Sequence, residues 1–334
     1  MSIAETMEKR ARQFVDRYAA VREQIARVIV GHEEVIHGVL TCLFVGGHCL
    51  LEGVPGLGKT LLVRTLAKTL DLHFSRIQFT PDLMPADILG TNMVMETPDG
   101  KRFFEFQRGP IFTQVCLADE INRATPKTQS AMLETMQEGT ITAAGKRHQL
   151  KQPFIVLATQ NPIEQEGTYP LPEAQLDRFF FKLLVGYSNH QQLCTIIDRT
   201  TQRETIEPAK VMDGAEIIQW QNLVREVILA KHVQDYIVRL VLATHPQGPF
   251  AVPITNQFLR WGASPRAAQA LTLAAKVRAL LDGRYNVSFE DVRRVYLPAL
   301  RHRIILNFEA QAEGIEPDQV LLEILEKVPE KEEG

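Results

Sequence analysis

The octapeptide Gly53-Val54-Pro55-Gly56-Leu57-Gly58-Lys59-Thr60 constrains this chain more than any other stretch. It fits the phosphate-loop pattern G-x-x-x-x-G-K-[ST], which means something only between a strand and a helix. His48-Cys49-Leu50-Leu51-Glu52 reads as a short buried strand, and Leu61 to Leu70 carries apolar residues at helical spacing. A glycine-rich turn in that place lets backbone N–H groups wrap a phosphate, with the positive end of the following helix aimed at it. Lys59 then reaches the β- and γ-phosphates and the Thr60 hydroxyl ligates Mg²⁺. Gly53 through Leu61 is the expected binding stretch for a nucleoside triphosphate.

Such a loop needs a parallel sheet behind it. Phe74 to Phe79 reads as a second strand, Ile111 to Ala118 as a near-continuous apolar run, and Phe154 to Thr159 and Phe179 to Val185 as further buried strands. Near-continuous runs suit strands covered on both faces, and strands alternating with helices predict a doubly wound α/β core. Met7, Ala11, Phe14, Tyr18, Val21, Ile25 and Val28 form one stripe on a long first helix, and a second helix over Glu33 to Val45 stops at Gly46-Gly47. Two β-hairpins are predicted. Asn92–Glu96 and Lys101–Gln107 flank Pro98-Asp99-Gly100, and Thr140–Gln149 turns at Ala144-Gly145. Beyond Gly186 the helical patterns Glu216–Ala230, His232–Thr244, Pro265–Leu281 and Phe289–Ile305 read as an all-helical lid, with a polar loop over Thr200–Gly214. The length of 334 residues accommodates a nucleotide-binding domain, 1–186, and a lid domain, 187–334.

Asp119-Glu120 end the apolar run Ile111–Ala118. Acidic residues often end strands, but beside a phosphate loop this pair has a chemistry. At the carboxyl edge of an open α/β sheet, Asp119 holds Mg²⁺ through water and Glu120 polarises the attacking water. Asn161, in Ala-Thr-Gln-Asn-Pro, orients that water if its strand lies between the other two, or else makes an Asx turn before Pro162. Arg178 is either a finger reaching a neighbouring subunit's γ-phosphate or a salt-bridge partner of Asp177 or Glu173. Ser264-Pro265 starts a helix and puts Arg266 in its first turn. The helix dipole disfavours a cation there by about 0.3–1 kcal/mol, so an anion nearby is expected, a nucleotide phosphate or a carboxylate.

These segments together resemble the MoxR family of AAA+ ATPases. The resemblance rests on Gly53–Thr60, Asp119-Glu120-Ile121-Asn122-Arg123-Ala124, Ala158-Thr159-Gln160-Asn161-Pro162, Glu173 to Phe179 and Gly262-Ala263-Ser264-Pro265-Arg266-Ala267. It covers nearly the whole chain in the family's order, with one small departure, Thr125, where members often carry proline. It implies ATP as substrate with Mg²⁺, Walker A at Gly53–Thr60, Walker B at Asp119 and Glu120, sensor 1 at Asn161, the arginine finger at Arg178 and sensor 2 at Arg266. It also implies a homo-oligomeric ring, a hexamer, that remodels or matures a client protein with a partner bearing a von Willebrand factor A domain. In this branch the lid is repositioned, which leaves open whether Arg266 acts on its own nucleotide or a neighbour's.

Two other readings share the motifs: a DNA-remodelling ring motor and a magnesium-chelatase-like ATPase subunit. A net charge of −3 argues against a constitutive nucleic-acid binder, because phosphate neutralisation needs clustered Lys and Arg. The hairpin residues Lys101, Arg102, Phe103, Phe104 and Lys146, Arg147, His148 are either a client grip at a ring pore or plain solvated tips. Four scattered cysteines and no zinc spacing indicate a reduced interior without a structural metal. No apolar run approaches the roughly 20 residues of a membrane span, and Met1–Arg17 lacks a signal-peptide core, so a cytoplasmic protein without a transmembrane segment is expected.

Overall fold

A computed structural model describes residues 3–100, 102–143, 145–162, 167–201 and 206–331. The chain runs α1 (Ile3–Val28), α2 (Glu33–Val45), β1 (Cys49–Glu52), α3 (Lys59–Thr69), β2 (Phe74–Gln78) and α4 (Pro85–Leu89). A hairpin follows, β3 (Gly90–Glu96) and β4 (Arg102–Arg108), then β5 (Val115–Asp119) and α5 (Pro126–Glu138). A second hairpin, β6 (Thr140–Ala143) and β7 (Lys146–Gln149), precedes β8 (Ile155–Gln160), α6 (Glu173–Leu176) and β9 (Phe181–Leu184). The remainder comprises α7 (His190–Thr200), α8 (Gly214–Glu226), α9 (Lys231–Leu242), α10 (Pro253–Phe258), β10 (Leu259–Trp261) and α11 (Pro265–Leu281). It closes with α12 (Phe289–Leu300), β11 (Ile305–Leu306), α13 (Phe308–Ala312) and α14 (Pro317–Lys327).

Five parallel strands form the central sheet in the order β2-β5-β8-β1-β9. Their side chains alternate between two cores, as strand geometry requires. Cys49, Leu51, Val115, Leu117, Ile155 and Leu157 face one core, shared with α1, α2, α3 and the helices beyond α7. Leu50, Cys116, Ala118, Val156 and Ala158 face the other, shared with Met132, Leu133 and Met136 of α5. The inner strands β1, β5 and β8 are apolar along almost their whole length because both of their faces are covered, whereas the edge strands β2 and β9 are buried only in part. The C-terminal helices pack into the same continuous core as one face of the sheet, so apolar burial holds them to it.

Three expectations need correction. The run Ile111–Ala118 is not one strand: Ile111–Gln114 turns, with Thr113 N–H donating to Ile111 O and Thr113 Oγ1 to His73 O, and β5 begins at Val115. The helix starting at Phe289 stops at Leu300, not Ile305. The helical C-terminal region also carries a small antiparallel ribbon, β10 with β11. Of the hairpin residues, Lys101 and Ala144 lie outside the described residues. Among the described residues no helix is long and apolar enough to cross a membrane.

Two histidines, His302 buried and His48 partly buried, pin the sheet. His48 Nε2 donates to Met136 O (2.9 Å) and its Nδ1 accepts from Val156 N–H (3.0 Å), tying β1, β8 and α5 together. His302 Nε2 donates to Phe179 O at 2.9 Å. Burial lowers the pKa of both, His48 to about 4 and His302 well below 6.5. Both are neutral when folded, whereas the unfolded rings take a proton as the pH falls below about 6.5. Stability is therefore present above that pH and is lost on acidification, in His48's case down to about 4. Between pH 6.5 and 5.5 each histidine should remove about 1 kcal/mol. Urea midpoints at the two pH values test this, and an unchanged midpoint would contradict it.

Candidate functional site

The phosphate loop leaves β1 at the carboxyl edge of the sheet, where Gly53 N–H donates to Gln160 O at 3.2 Å. A Cβ on Gly53 would meet Val185 O at 2.6 Å, so only glycine lets the loop pass β9. Gly56 and Gly58 adopt φ of +87° and +77°, and nothing lies within 4 Å of where their Cβ atoms would be. The left-handed conformation demands glycine there, and the space above the loop stays open. Lys59 opens α3 and donates through Nζ to Gly53 O. Burial lowers its pKa, an effect opposed by the carboxylates of Asp119, Glu120 and Glu52. A hollow of about 270 Å³ adjoins the loop, lined by Gly56–Lys59, Leu61 and Leu62 and, opposite, by Val28–Val30, Val185 and Leu193. An apolar slot beside a phosphate cradle suits a nucleotide base.

The strand order places β8 between β5 and β1, so Asp119, Glu120 and Asn161 converge on the loop. Asp119 is buried; its Oδ1 accepts from Thr159 Oγ1 (2.6 Å) and its Oδ2 accepts both Nε (2.9 Å) and Nη2 (2.7 Å) of Arg76. The same Thr159 oxygen accepts the Glu120 N–H at 2.8 Å, so one hydroxyl on β8 locks both acidic residues. Glu120 sits in the left-handed region at φ +56°, which for a side-chain-bearing residue costs about 1–3 kcal/mol and is typical of functional sites. Its Oε2 accepts from Arg123 Nη1 (2.8 Å) and Gln78 Nε2 (3.1 Å). Asn161 is half-buried directly beyond β8. Thr60 and Asp119 supply hard oxygen donors, and among the described residues no cluster of three or more His, Cys, Asp or Glu could hold a metal. Two protein oxygens fit Mg²⁺, which keeps its waters and leans on substrate phosphates.

Arg178 and Arg266 lie elsewhere. Arg178 follows α6 and precedes β9 at the amino edge of the sheet, where the neighbouring Phe180 N–H donates to His48 O at 2.8 Å. It makes no ion pair with Asp177 or Glu173. The expected anion near Arg266 is a carboxylate: Asp177 Oδ2, 3.5 Å from Nη1. Both arginines line a second hollow, of about 240 Å³, with Gly47, His48 and Arg303. The two hollows share no residue.

Thr159, Arg76, Gln78 and Arg123 were not singled out from the sequence, although Thr159 and Arg123 stand inside the quoted motifs. The threonine two residues before Asn161 was the available signal; Arg76 had none, because its partner is set by strand pairing. On the hairpins, Arg102 pairs with Glu96 (3.4 Å), while Phe103 and Phe104 are exposed, Phe104 by 75%. His148 is no tip: it stacks on Phe106 at 4.6 Å and ties the second hairpin to the first.

Residues 48–181 match the ATPase family associated with various cellular activities (AAA), and residues 253–324 match the AAA lid domain. The chain is 41% identical over 305 residues to the chaperone MoxR1 of Mycobacterium tuberculosis, covering 91% of this chain and 80% of that protein. It is 43% identical over 312 residues to the uncharacterized protein YeaC of Bacillus subtilis, covering 92% of each. To the protein MoxR of Methylorubrum extorquens it is 30% identical over 332 residues, covering 94% and 95%. The crystal structure of a candidate ATPase from Cytophaga hutchinsonii superposes with a TM-score of 0.90 at 40% identity, covering 98% of both chains.

Proposed function

The chain belongs to the MoxR family of AAA+ ATPases, and from that premise we propose that it hydrolyses ATP in a ring of its own copies to remodel a client protein. In this reading Gly53–Leu61 cradle the triphosphate, Lys59 contacts its β- and γ-phosphates, and Thr60 and Asp119 hold Mg²⁺, which would offset phosphate charge. Glu120 takes the proton of the attacking water, which Asn161 orients, and Thr159 keeps Glu120 and Asp119 in place. Residues 1–186 form the nucleotide-binding domain and 187–334 the lid. The partner we propose carries a von Willebrand factor A domain, as the family resemblance implies.

The observation that carries the ring is where Arg178 stands. The phosphate loop leaves the carboxyl end of β1 and Arg178 stands beside its amino end, and four residues of strand separate them by about 13 Å. A finger there serves a second copy's nucleotide. Arg266 shares its hollow and is assigned the same action in trans. Light scattering of Glu120→Gln with ATP should report a particle six-fold the mass of the chain, and a strictly monomeric protein at micromolar concentration would sink the reading.

The exposed surface of the first hairpin presents Met93, Val94, Met95, Phe103 and Phe104 beside Arg102 and Arg108, with Arg102 paired to Glu96. That favours a protein client over DNA, whose binding calls for clustered cations. For the loop, Lys59→Ala should weaken ATP binding by about 10- to 100-fold, the cost of a lost charge-assisted contact. Titration with a fluorescent ATP analogue measures it, and wild-type affinity would refute the role of Lys59.

A further inference from the structure

We propose that Arg303, with Asp177, is the positioning device that sets the finger from the lid, so that Arg178 follows the lid of its own subunit into the neighbour's site. The proposal rests on the reading of Arg178 as an arginine supplied in trans. Arg303 lies just beyond α12 and is buried. Four of the five hydrogen bonds that its guanidinium makes among the described residues go to residues 177–180, the segment that carries Arg178. Nε donates to Asp177 Oδ1 (2.9 Å), Nη2 to Asp177 O (3.4 Å) and Phe179 O (2.7 Å), and Nη1 to Phe180 O (3.1 Å). The fifth bond returns to Ala299 O on α12. One planar fork therefore spans both flanks of the finger and the helix behind it, a geometry lysine cannot reproduce.

Three further residues of the same region act on this segment. Ser264, the N-cap of α11, donates its hydroxyl to the Asp177 carboxylate at 2.9 Å from each oxygen, and Arg266 approaches the same group. His302 donates to Phe179 O. The residue before Arg178 and the two after it are thus all held by side chains from α11 or the end of α12. Arg178 itself has no ion-pair partner among the described residues and is half-buried beside an open hollow. A clamp this dense around a side chain left unpaired is what precise presentation of that side chain requires. A lid displacement carries Arg178 with it.

The test exploits asymmetry in mixed rings. Arg178→Ala subunits keep an intact loop, and Lys59→Ala subunits keep an intact finger, so ATPase activity of the mixture reports finger donation alone. Arg303→Met placed in the Lys59→Ala donor should lower that activity by about 10²-fold, the loss a 1 Å misplacement brings. Placed in the Arg178→Ala acceptor, the same substitution should leave it near the parent mixture. Arg303→Lys in the donor, keeping charge without the fork, should fall between. Asp177→Asn, nearly isosteric, repeats the comparison should Arg303→Met fail to enter the ring. Equal loss in both placements, or loss in neither, overturns the proposal. A silent parent mixture overturns the reading of Arg178 instead, and the latch with it.

Discussion

Glu120→Gln is expected to lower ATP turnover by at least about 10²-fold while ATP affinity stays near that of the unaltered chain. Glu120 follows β5 in a left-handed conformation. Three contacts hold that conformation in place: its N–H donates to Thr159 Oγ1, and Arg123 and Gln78 donate to its Oε2. Glutamine has the same volume and can keep an acceptor toward Arg123, so the fold and the cradle survive. What it loses is the basic oxygen that takes a proton from water. In the proposed site the triphosphate would be held by Lys59 and Thr60 rather than by Glu120, so binding and turnover should separate. Single-turnover hydrolysis beside equilibrium ATP binding measures both; normal hydrolysis by Glu120→Gln would mean that another group is the base.

The lock on Glu120 also shows what the sequence could and could not tell. The phosphate loop, the acidic pair and Asn161 were legible because each is a local pattern at a strand end, and the five-stranded sheet brings those ends to one edge. Thr159 and Arg76 act across strands, and nothing local marks a residue whose partner is fixed by register. The turn at Ile111–Gln114 was missed for a related reason: burial at Ile111 mimics a strand's apolar run, while a hydrogen bond from Thr113 to His73 bends the backbone. The β10–β11 ribbon, three residues against two, is too short for any period to register. Arg266 was read from helix capping as needing an anion, and the anion is Asp177, a residue that the sequence offered only as a partner for Arg178. Asp177 bonds to Ser264, Arg266 and Arg303 instead, and Arg178 has no ion-pair partner among the described residues.

Arg178→Ala should accordingly cost about 10³-fold or more in turnover, within the range of arginine fingers, with little change in ATP affinity. The side chain carries no structural ion pair among the described residues, so truncation removes no partner and leaves no buried carboxylate orphaned. Its stability cost should stay small, which separates a catalytic loss from unfolding. Arg178→Lys should not rescue, because a point ammonium lacks the planar fork that spreads over phosphate oxygens. The decisive step is mixing. In a random ring made equally from Arg178→Ala and Lys59→Ala subunits, half the loops are intact and half of their neighbours supply a finger. Activity should then recover to about one quarter of the unaltered ring, peaking near equal proportions. Because Arg178 stands at the amino edge of the sheet and its own phosphate loop leaves the carboxyl edge, recovery would have to come from a neighbouring subunit. No recovery at any ratio, in rings shown by mass to be mixed, would remove Arg178 from the neighbour's site.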